Sequence, residues 1–502
     1  MSSDNSYGRI LKASSIMGGA AGVNLLLGML RVKFAAMLIG ATGVGLNASF
    51  GALQGLIGTL AGLGIQSSAV RDIAAAVGKG DQQAIGRAVL TLRRICWLTG
   101  LVGMAAMMIL SPWLSQLTFG HRDYTLDIAA LGLIILFANL SGGQMALIQG
   151  MRRIGDMAKA NIFGAAAATV AAISFYSTLG LRGIVPALVS VAAIQLTLSW
   201  YFARMVPVHH VKLSMRQTLS EARGMVRLGL VMMINGLMSS AVAYITITLI
   251  TQQEGVQAVG HYSAAYTLSG MFANFVLGAM GADYYPRLAG VAHDKAAMRR
   301  MANEQTEIGL LLALPGLLAT MALAPWILQL FYSREFLGSA TLLQWFILGC
   351  LGRVISWPLS YVLLALGKGK WYLLTETSFN AIHVVLIALG LRQFGVEGVA
   401  IVFFVMYIGY VFAVYLACRY VIGFAWSAEC LKILFVTLPL LAATFLATRV
   451  MPLWPASMLG FMFTIVVGIY CLRGLAKRVG PDHRIMRSMA RVPGAKLLLF
   501  PH

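Results

Sequence analysis

Apolar runs of about 20 residues, separated by short charged or turn-forming clusters, recur along the whole chain. That is the length at which an α-helix crosses the ~30 Å hydrocarbon core of a bilayer. Inside lipid every backbone N–H and C=O must be bonded within the segment, so runs this long are read as helices. Composition agrees. The 502 residues are 59% hydrophobic and 11% charged, against roughly 25% charged in soluble domains. A soluble enzyme, a secreted disulfide scaffold and a disordered chain are therefore excluded. The fold class is an all-α polytopic membrane protein.

Fourteen transmembrane helices are predicted, over 11–39, 43–66, 95–118, 125–149, 157–179, 183–203, 226–251, 258–283, 307–332, 340–366, 371–391, 397–418, 431–450 and 456–472. An even number leaves both termini on one face. With the N-terminus, the even-numbered loops and the tail on that face, it carries thirty Lys and Arg against five on the other. The positive-inside rule then makes both termini cytoplasmic. The same rule explains the net charge of +21 without nucleic acid. The loops on the opposite face are a few residues long, which argues against a polymerase or ligase with an external catalytic domain.

An internal repeat accompanies the helices. Residues 43–81 overlay 258–295 with Val44-Gly45 on Val259-Gly260, an offset of 215 to 216, and Gly150-Met151-Arg152 resembles Gly367-Lys368 at a similar offset. Six spans per repeat give both halves the same topology, hence a pseudo-two-fold axis along the membrane normal and a substrate site between halves. The expected organisation is an N-lobe over 1–210, a C-lobe over 211–425, two further helices over 426–475 and a basic cytoplasmic tail over 476–502 that sits on anionic membrane lipids.

Charged residues inside spans are costly and face a bundle interior or a wet cavity. Arg31 and Lys33 stand in the first span, where Asn24, Gly28 and Arg31 share one face. A guanidinium there suits a phosphate or diphosphate, because its donor fork pairs with oxyanions bidentately; snorkelling to the interface is the competing reading. Arg353 lies deeper, in the tenth span. Glu376, Asn380 and His383 form one stripe of the eleventh, suited to a coupling proton or to pairing with Arg353. Asn47 and Gln54 of the second span suit sugar hydroxyls, as do Asn235, Ser239 and Thr246 of the seventh. The eighth adds Tyr262, Tyr266 and Asn274, with Ser263, Thr267 and Gly270. Interhelical hydrogen bonds would use the same groups. Gly51, Gly55, Gly58 and Gly62 give the second span a glycine face for close helix packing.

The five cysteines have no metal or disulfide spacing and read as small core residues. No phosphate-binding loop, zinc motif or nucleophile elbow occurs, so no catalysis, metal or cofactor is expected.

The stretch Leu30-Arg31-Val32-Lys33 through Gly40-Ala41-Thr42-Gly43-Val44-Gly45, with Gly62-Leu63-Gly64 and Ser68-Ala69-Val70-Arg71, resembles the opening of Wzx-type flippases. These belong to the multidrug/oligosaccharidyl-lipid/polysaccharide exporter (MOP) superfamily. Gly281-Ala282-Asp283-Tyr284-Tyr285-Pro286-Arg287-Leu288 resembles the O-antigen and enterobacterial-common-antigen branch. The resemblance covers about 1–425. It implies two six-helix lobes around a central cavity, a cationic site for the diphosphate of an undecaprenyl-linked oligosaccharide, and alternating access coupled to H+ or Na+. It also implies residence in the bacterial inner membrane and work beside polysaccharide polymerase and assembly proteins. The C-terminal helix pair departs from twelve-helix members and is shared by MurJ-type lipid II flippases, the nearest alternative. A drug exporter of the same superfamily fits less well, because Arg31 and Lys33 stand where that branch tends to carry an acidic residue.

Overall fold

The computed structural model describes residues 4–209, 211–367 and 369–479, with side chains from residue 18 onward except at 231, 235, 279, 282, 369, 370, 372, 373 and 479. Among them there is no strand. The helices are α1 Asp4–Leu38, α2 Gly40–Gly62, α3 Ile65–Lys79, α4 Gln82–Phe119, α5 Thr125–Gly150, α6 Ile154–Leu179, α7 Ile184–Arg204 and α8 Met215–Glu254. They continue as α9 Val256–Gly290, α10 Lys295–Ala322, α11 Ala324–Phe331, α12 Ala340–Ala365, α13 Gly369–Ile422, α14 Ala428–Val450 and α15 Leu453–Val479. Eleven stretches among the described residues are long and apolar enough to cross a membrane. Two of these, Ile154–Arg204 and Leu374–Ile422, run to 51 and 49 residues and are interrupted near their middles, the first by a 3-10 turn at Gly180–Gly183 and the second at Gly395.

Several boundaries differ from the hydropathy reading. The predicted loop over 67–94 is helical: α2 breaks at Leu63 and Gly64, both left-handed, and α3 follows. Ile65, Ala69, Ile73 and Ala76 bury one stripe of α3, and amphipathic helices of this kind are invisible to a scan for apolar length. The predicted span 307–332 divides into α10 and α11 at Leu323. The predicted span 258–283 is part of a longer helix, α9, which continues to Gly290 with Pro286 inside it.

Side chains start several helices where the backbone leaves orphan N–H groups. Asp81 accepts from Ala84 N at 2.9 Å, and Ser214 and Gln217 form a reciprocal capping box on α8. At the start of α10 the N–H groups of Ala297 and Ala296 hold the Asp294 carboxyl below the usual carboxylate range.

The described residues pack into two units. The first takes those up to Gly260 with Phe331–Glu335; the second takes His261–Leu330 and those from Phe336 onward. The boundary expected at 210 falls in the loop before α8, but α8 packs on α2, α3 and α4, so the packing boundary comes one helix later. All five cysteines are buried and unpaired, as core residues.

The repeat is written into the backbone. Gly40 and Gly255, each with positive φ (63° and 87°), immediately precede or open α2 and α9. Arg152 and Gly367 are left-handed just after α5 and α12 (φ 57° and 69°). Gly180 (φ 57°, ψ −131°) and Gly395 (φ 58°, ψ −149°) make the same break. Every pair is separated by 215 residues.

Equivalent positions also meet. A Cβ on Gly45 would lie 1.9 Å from the Val256 carbonyl oxygen, and one on Gly260 would lie 2.0 Å from that of Ala41. Residue 41 thus faces 260 while 45 faces 256, the reciprocal pattern of an isologous contact. Beside it the Glu335 carboxylate accepts the Ala41 N–H at 3.1 Å. Backbone cannot yield as a side-chain tip can. Gly45→Ala will therefore cost more than the ~1–3 kcal/mol of ordinary overpacking. Gly51→Ala, with no atom within 4 Å of its Cβ, will be neutral or slightly stabilising through helix propensity. Thermal unfolding of the two variants in detergent checks the contrast; equal midpoints would refute the contact.

Candidate functional site

In the first unit the glycine face of α2 does not pack a neighbouring helix. Gly51, Gly55 and Gly58 have nothing within 4 Å of a built Cβ, and Gly62 meets only Asn139 Oδ1 at 3.7 Å. The close approach is made instead at the helix ends, by Gly45 and by Gly64, whose Cβ would stand 2.2 Å from the Gly229 carbonyl oxygen. With α2 held against the start of α9 at one end and the chain just past its other end held against α8, the absent side chains between leave a cavity of about 420 Å³. Gly55, Gly58 and Gly62 form one wall; Gln54, Thr59, Gln66, Ser67 and Asn139 supply its polar groups. Thr59 donates to the Gly55 carbonyl at 2.7 Å and meets Ser240 Oγ at 3.3 Å, and Asn139 Nδ2 donates to the Ile135 carbonyl at 3.0 Å. Amides and hydroxyls around a floor without side chains are suited to polyhydroxylated ligands. Gln54 was legible in the sequence. Gln66 and Asn139 were not, since neither shares its face with another polar group.

Helix α1 packs on α6, and Arg31 is half-buried there, with the Tyr176 hydroxyl within reach of its charge. Lys33 is half-buried two residues on. Two turns before Arg31, Asn24 Oδ1 is buried with no donor among the described residues. Asn47 of α2 is half-buried. The Asn235 side chain lies outside the described residues.

In the second unit five of the sequence candidates come together. Arg353 of α12 is half-buried, and its charge acts on Tyr266 of α9 and on Tyr407 of α13. Among the described residues no carboxylate pairs with it. Tyr262 and Tyr266 stack at 5.7 Å, and Phe346 of α12 stands edge-on to both. Phe403 continues the wall, 5.9 Å from Tyr266 and 4.8 Å from Tyr407. Glu376 does not pair with Arg353. It accepts a hydrogen bond from the Tyr410 hydroxyl, and its charge also reaches Tyr407, so a tyrosine stands between cation and carboxylate. His383 lies against Phe403 at 6.3 Å with its Nε2 buried and unpartnered among the described residues. Asn380 is turned back on its own helix, donating to the Glu376 carbonyl at 2.9 Å. Asn274 is exposed on α9 and does not join the cluster. The sequence reading missed Tyr407 and Tyr410; three residues apart in an apolar run, they were its only trace.

A guanidinium without a carboxylate partner, half-buried among tyrosines, keeps its donors available for an oxyanion. The Glu376 carboxylate is engaged by the Tyr410 phenol and does not quench the arginine.

The model of one protein family, described as polysaccharide biosynthesis protein, matches residues 79–341, more than half of the chain. The chain belongs to this family. The chain is 23% identical over 414 residues to the lipid III flippase of Escherichia coli K12, a match covering 80% of this chain and 96% of that one. The lipid III flippase of Shigella flexneri matches with the same figures. Among solved structures it is similar to the lipid II flippase MurJ in an inward closed conformation, with TM-score 0.67 and 14% identity over 93% of this chain and 99% of that one. It is also similar to an inward-facing multidrug resistance MATE family transporter, with TM-score 0.64 and 16% identity over 80% and 94%. The chain therefore has the fold shared by these two structures.

Proposed function

We propose that this chain is a flippase that moves an undecaprenyl-diphosphate-linked oligosaccharide from the cytoplasmic to the periplasmic leaflet of a bacterial inner membrane, for an O-antigen-like surface polysaccharide. The observation that carries the reading is Arg353, a cation inside an apolar helix with tyrosines as its neighbours and, among the described residues, no carboxylate paired with it. A diphosphate is the ligand that such a site selects, and cationic drugs are what it repels. Arg31, assisted by Lys33, supplies a second cationic position. The cavity walled by Gly55, Gly58 and Gly62 receives sugar hydroxyls through Gln54, Gln66 and Asn139, and Asn47 and Asn235 extend that path. Glu376 and His383 are the coupling groups for H+ or Na+, and transport proceeds by alternating access. The lipid III flippases, similar over most of their length, support a lipid-linked substrate.

A lipid II flippase is the second reading. The MurJ fold matches 93% of this chain where the MATE fold matches 80%, which favours a fold that includes the C-terminal pair.

The test is reconstitution into liposomes with a fluorescent undecaprenyl-diphosphate oligosaccharide, following its accessibility to an external quencher under an imposed proton or sodium gradient. Protein-dependent translocation that weakens at least tenfold in Arg31→Ala is expected. Transport of lipid II in preference to longer oligosaccharides would move the assignment to the second reading. Transport of neither, with dye efflux instead, would overturn both.

A further inference from the structure

A second cavity lies wholly within the first unit and shares no lining residue with the one described above. It has a volume of about 600 Å³ and runs between α4, α5 and α7, within the ~300–1,000 Å³ of small-molecule sites. Its body is apolar, lined by Leu92, Leu136, Leu140, Leu147 and Leu196. At its mouth stand Arg93, near the start of α4, and Arg204, the last residue of α7. Two tryptophans flank the opening, Trp97 and Trp200, 52% and 51% exposed.

The charges around this mouth are unbalanced. Arg204 stacks over Trp200 at 4.9 Å and Tyr201 at 5.3 Å, which holds its plane without using its donors. Arg93 is exposed, and no described carboxylate pairs with it or with Arg204. The neighbouring arginines are engaged elsewhere: Arg94 donates to the Leu213 carbonyl and Thr218 Oγ1, and Arg87 faces Glu221. The polar groups deeper in the groove satisfy each other, Ser199 Oγ donating to Gln144 Oε1 at 2.6 Å. The groove is therefore cationic at its end and apolar along its length. Trp at the opening marks the depth of lipid headgroups.

We propose that this groove is a site for an anionic phospholipid, with the phosphate between Arg93 and Arg204 and an acyl chain against the leucines. Basic pockets between membrane helices take anionic headgroups in this way. A free phosphate would leave the leucine-lined length unfilled, and a zwitterionic lipid would place its own cation among two arginines. Only the leaflet, the cytoplasmic one, rests on the orientation proposed above; the site itself does not.

The test is native mass spectrometry of the full chain in detergent, titrated with phosphatidylglycerol or phosphatidylcholine. Retention of phosphatidylglycerol over phosphatidylcholine is expected. Arg93→Ala with Arg204→Ala will weaken it about thirtyfold, and Arg182→Ala, at the other end of the spans, will leave it unchanged. Thr197→Trp, at an exposed position lining the groove, will block retention with both arginines intact, which separates the chain-binding length from the charged mouth. Four results would overturn the proposal: equal retention of the two lipids, full retention in the double variant, full retention in Thr197→Trp, or displacement of phosphatidylglycerol by equimolar inorganic phosphate. Displacement by equimolar undecaprenyl phosphate would also overturn it, assigning the groove to the polyprenyl substrate. Translocation failing in the liposome assay while phosphatidylglycerol is still retained would overturn the flippase reading alone.

Discussion

Arg353→Ala will lower the initial rate of lipid-linked oligosaccharide translocation by roughly ten- to a hundredfold, the loss of ~1.5–3 kcal/mol that hydrogen bonds to a charged group contribute. Arg353→Lys will fall between the variant and the parent chain, because an ammonium keeps the charge but not the planar fork. The substitution removes a half-buried cation that no described carboxylate balances, so the fold should tolerate it; an unchanged elution profile and thermal midpoint verify that. The readout is the quencher-accessibility rate in liposomes at matched protein density. An alanine variant that transports at the parent rate removes Arg353 from the diphosphate site. Glu376→Gln gives the complementary result: the Tyr410 hydrogen bond is retained in geometry, while any rate dependence on the imposed proton gradient disappears.

The second large effect concerns attachment of the C-terminal helices. Glu307 of α10 is 9% exposed. It accepts from Arg478 of α15 at 2.8 Å and from Ser427 Oγ, the cap of α14, at 2.6 Å. Arg478 also reaches Glu429 of α14 at 3.3 Å. One carboxylate thus ties both C-terminal helices to α10 within the second unit. Removing one partner of a buried pair strands the other, at a cost of ~3–5 kcal/mol. Arg478→Ala and Glu307→Ala will each lower the thermal midpoint by several degrees and open the Phe424–Ser427 connection to protease. Glu307→Gln with Arg478→Met, which strands no charge, will recover most of the loss. If all three variants melt with the parent chain, the tie contributes nothing.

The all-helical membrane fold was legible because lipid imposes a length and a hydropathy on every span. What escaped was of two kinds. Helix α3 and the first turns of α4 are amphipathic, so they read as a loop in any scan for apolar length. The breaks at Gly64 and Leu323 depend on local dihedrals inside runs that look continuous. At the site, charges were the visible part: Arg31, Arg353, Glu376 and His383 stand out because apolar surroundings make them expensive. Their partners did not. Tyr407 and Tyr410 are ordinary interfacial residues by type, and only the packing of α13 on α12 places Tyr407 near the arginine. The glycine face of α2 was visible and misread as a packing surface, because spacing alone does not tell whether a smooth face meets another helix or lines a hollow. The basic end of α4 and α7 was counted as orientation signal and nothing more.

The 215-residue correspondence has a further implication. Arg353 lies 215 residues after Ala138, and Ala138 lines the glycine-walled cavity beside Asn139. Arg31 likewise corresponds to Thr246, a buried hydroxyl on α8. Neither cation has a charged twin. A duplicated ancestor with identical halves would have offered two equal sites, which suits a two-fold symmetric ligand. A lipid-linked sugar is polar in the other sense, with phosphate at one place and glycan at another. The turns and breaks stay in register while one position of each pair is neutral and small and the other cationic. On a shared backbone, the unequal side chains suit the head-and-tail cargo of the proposed function.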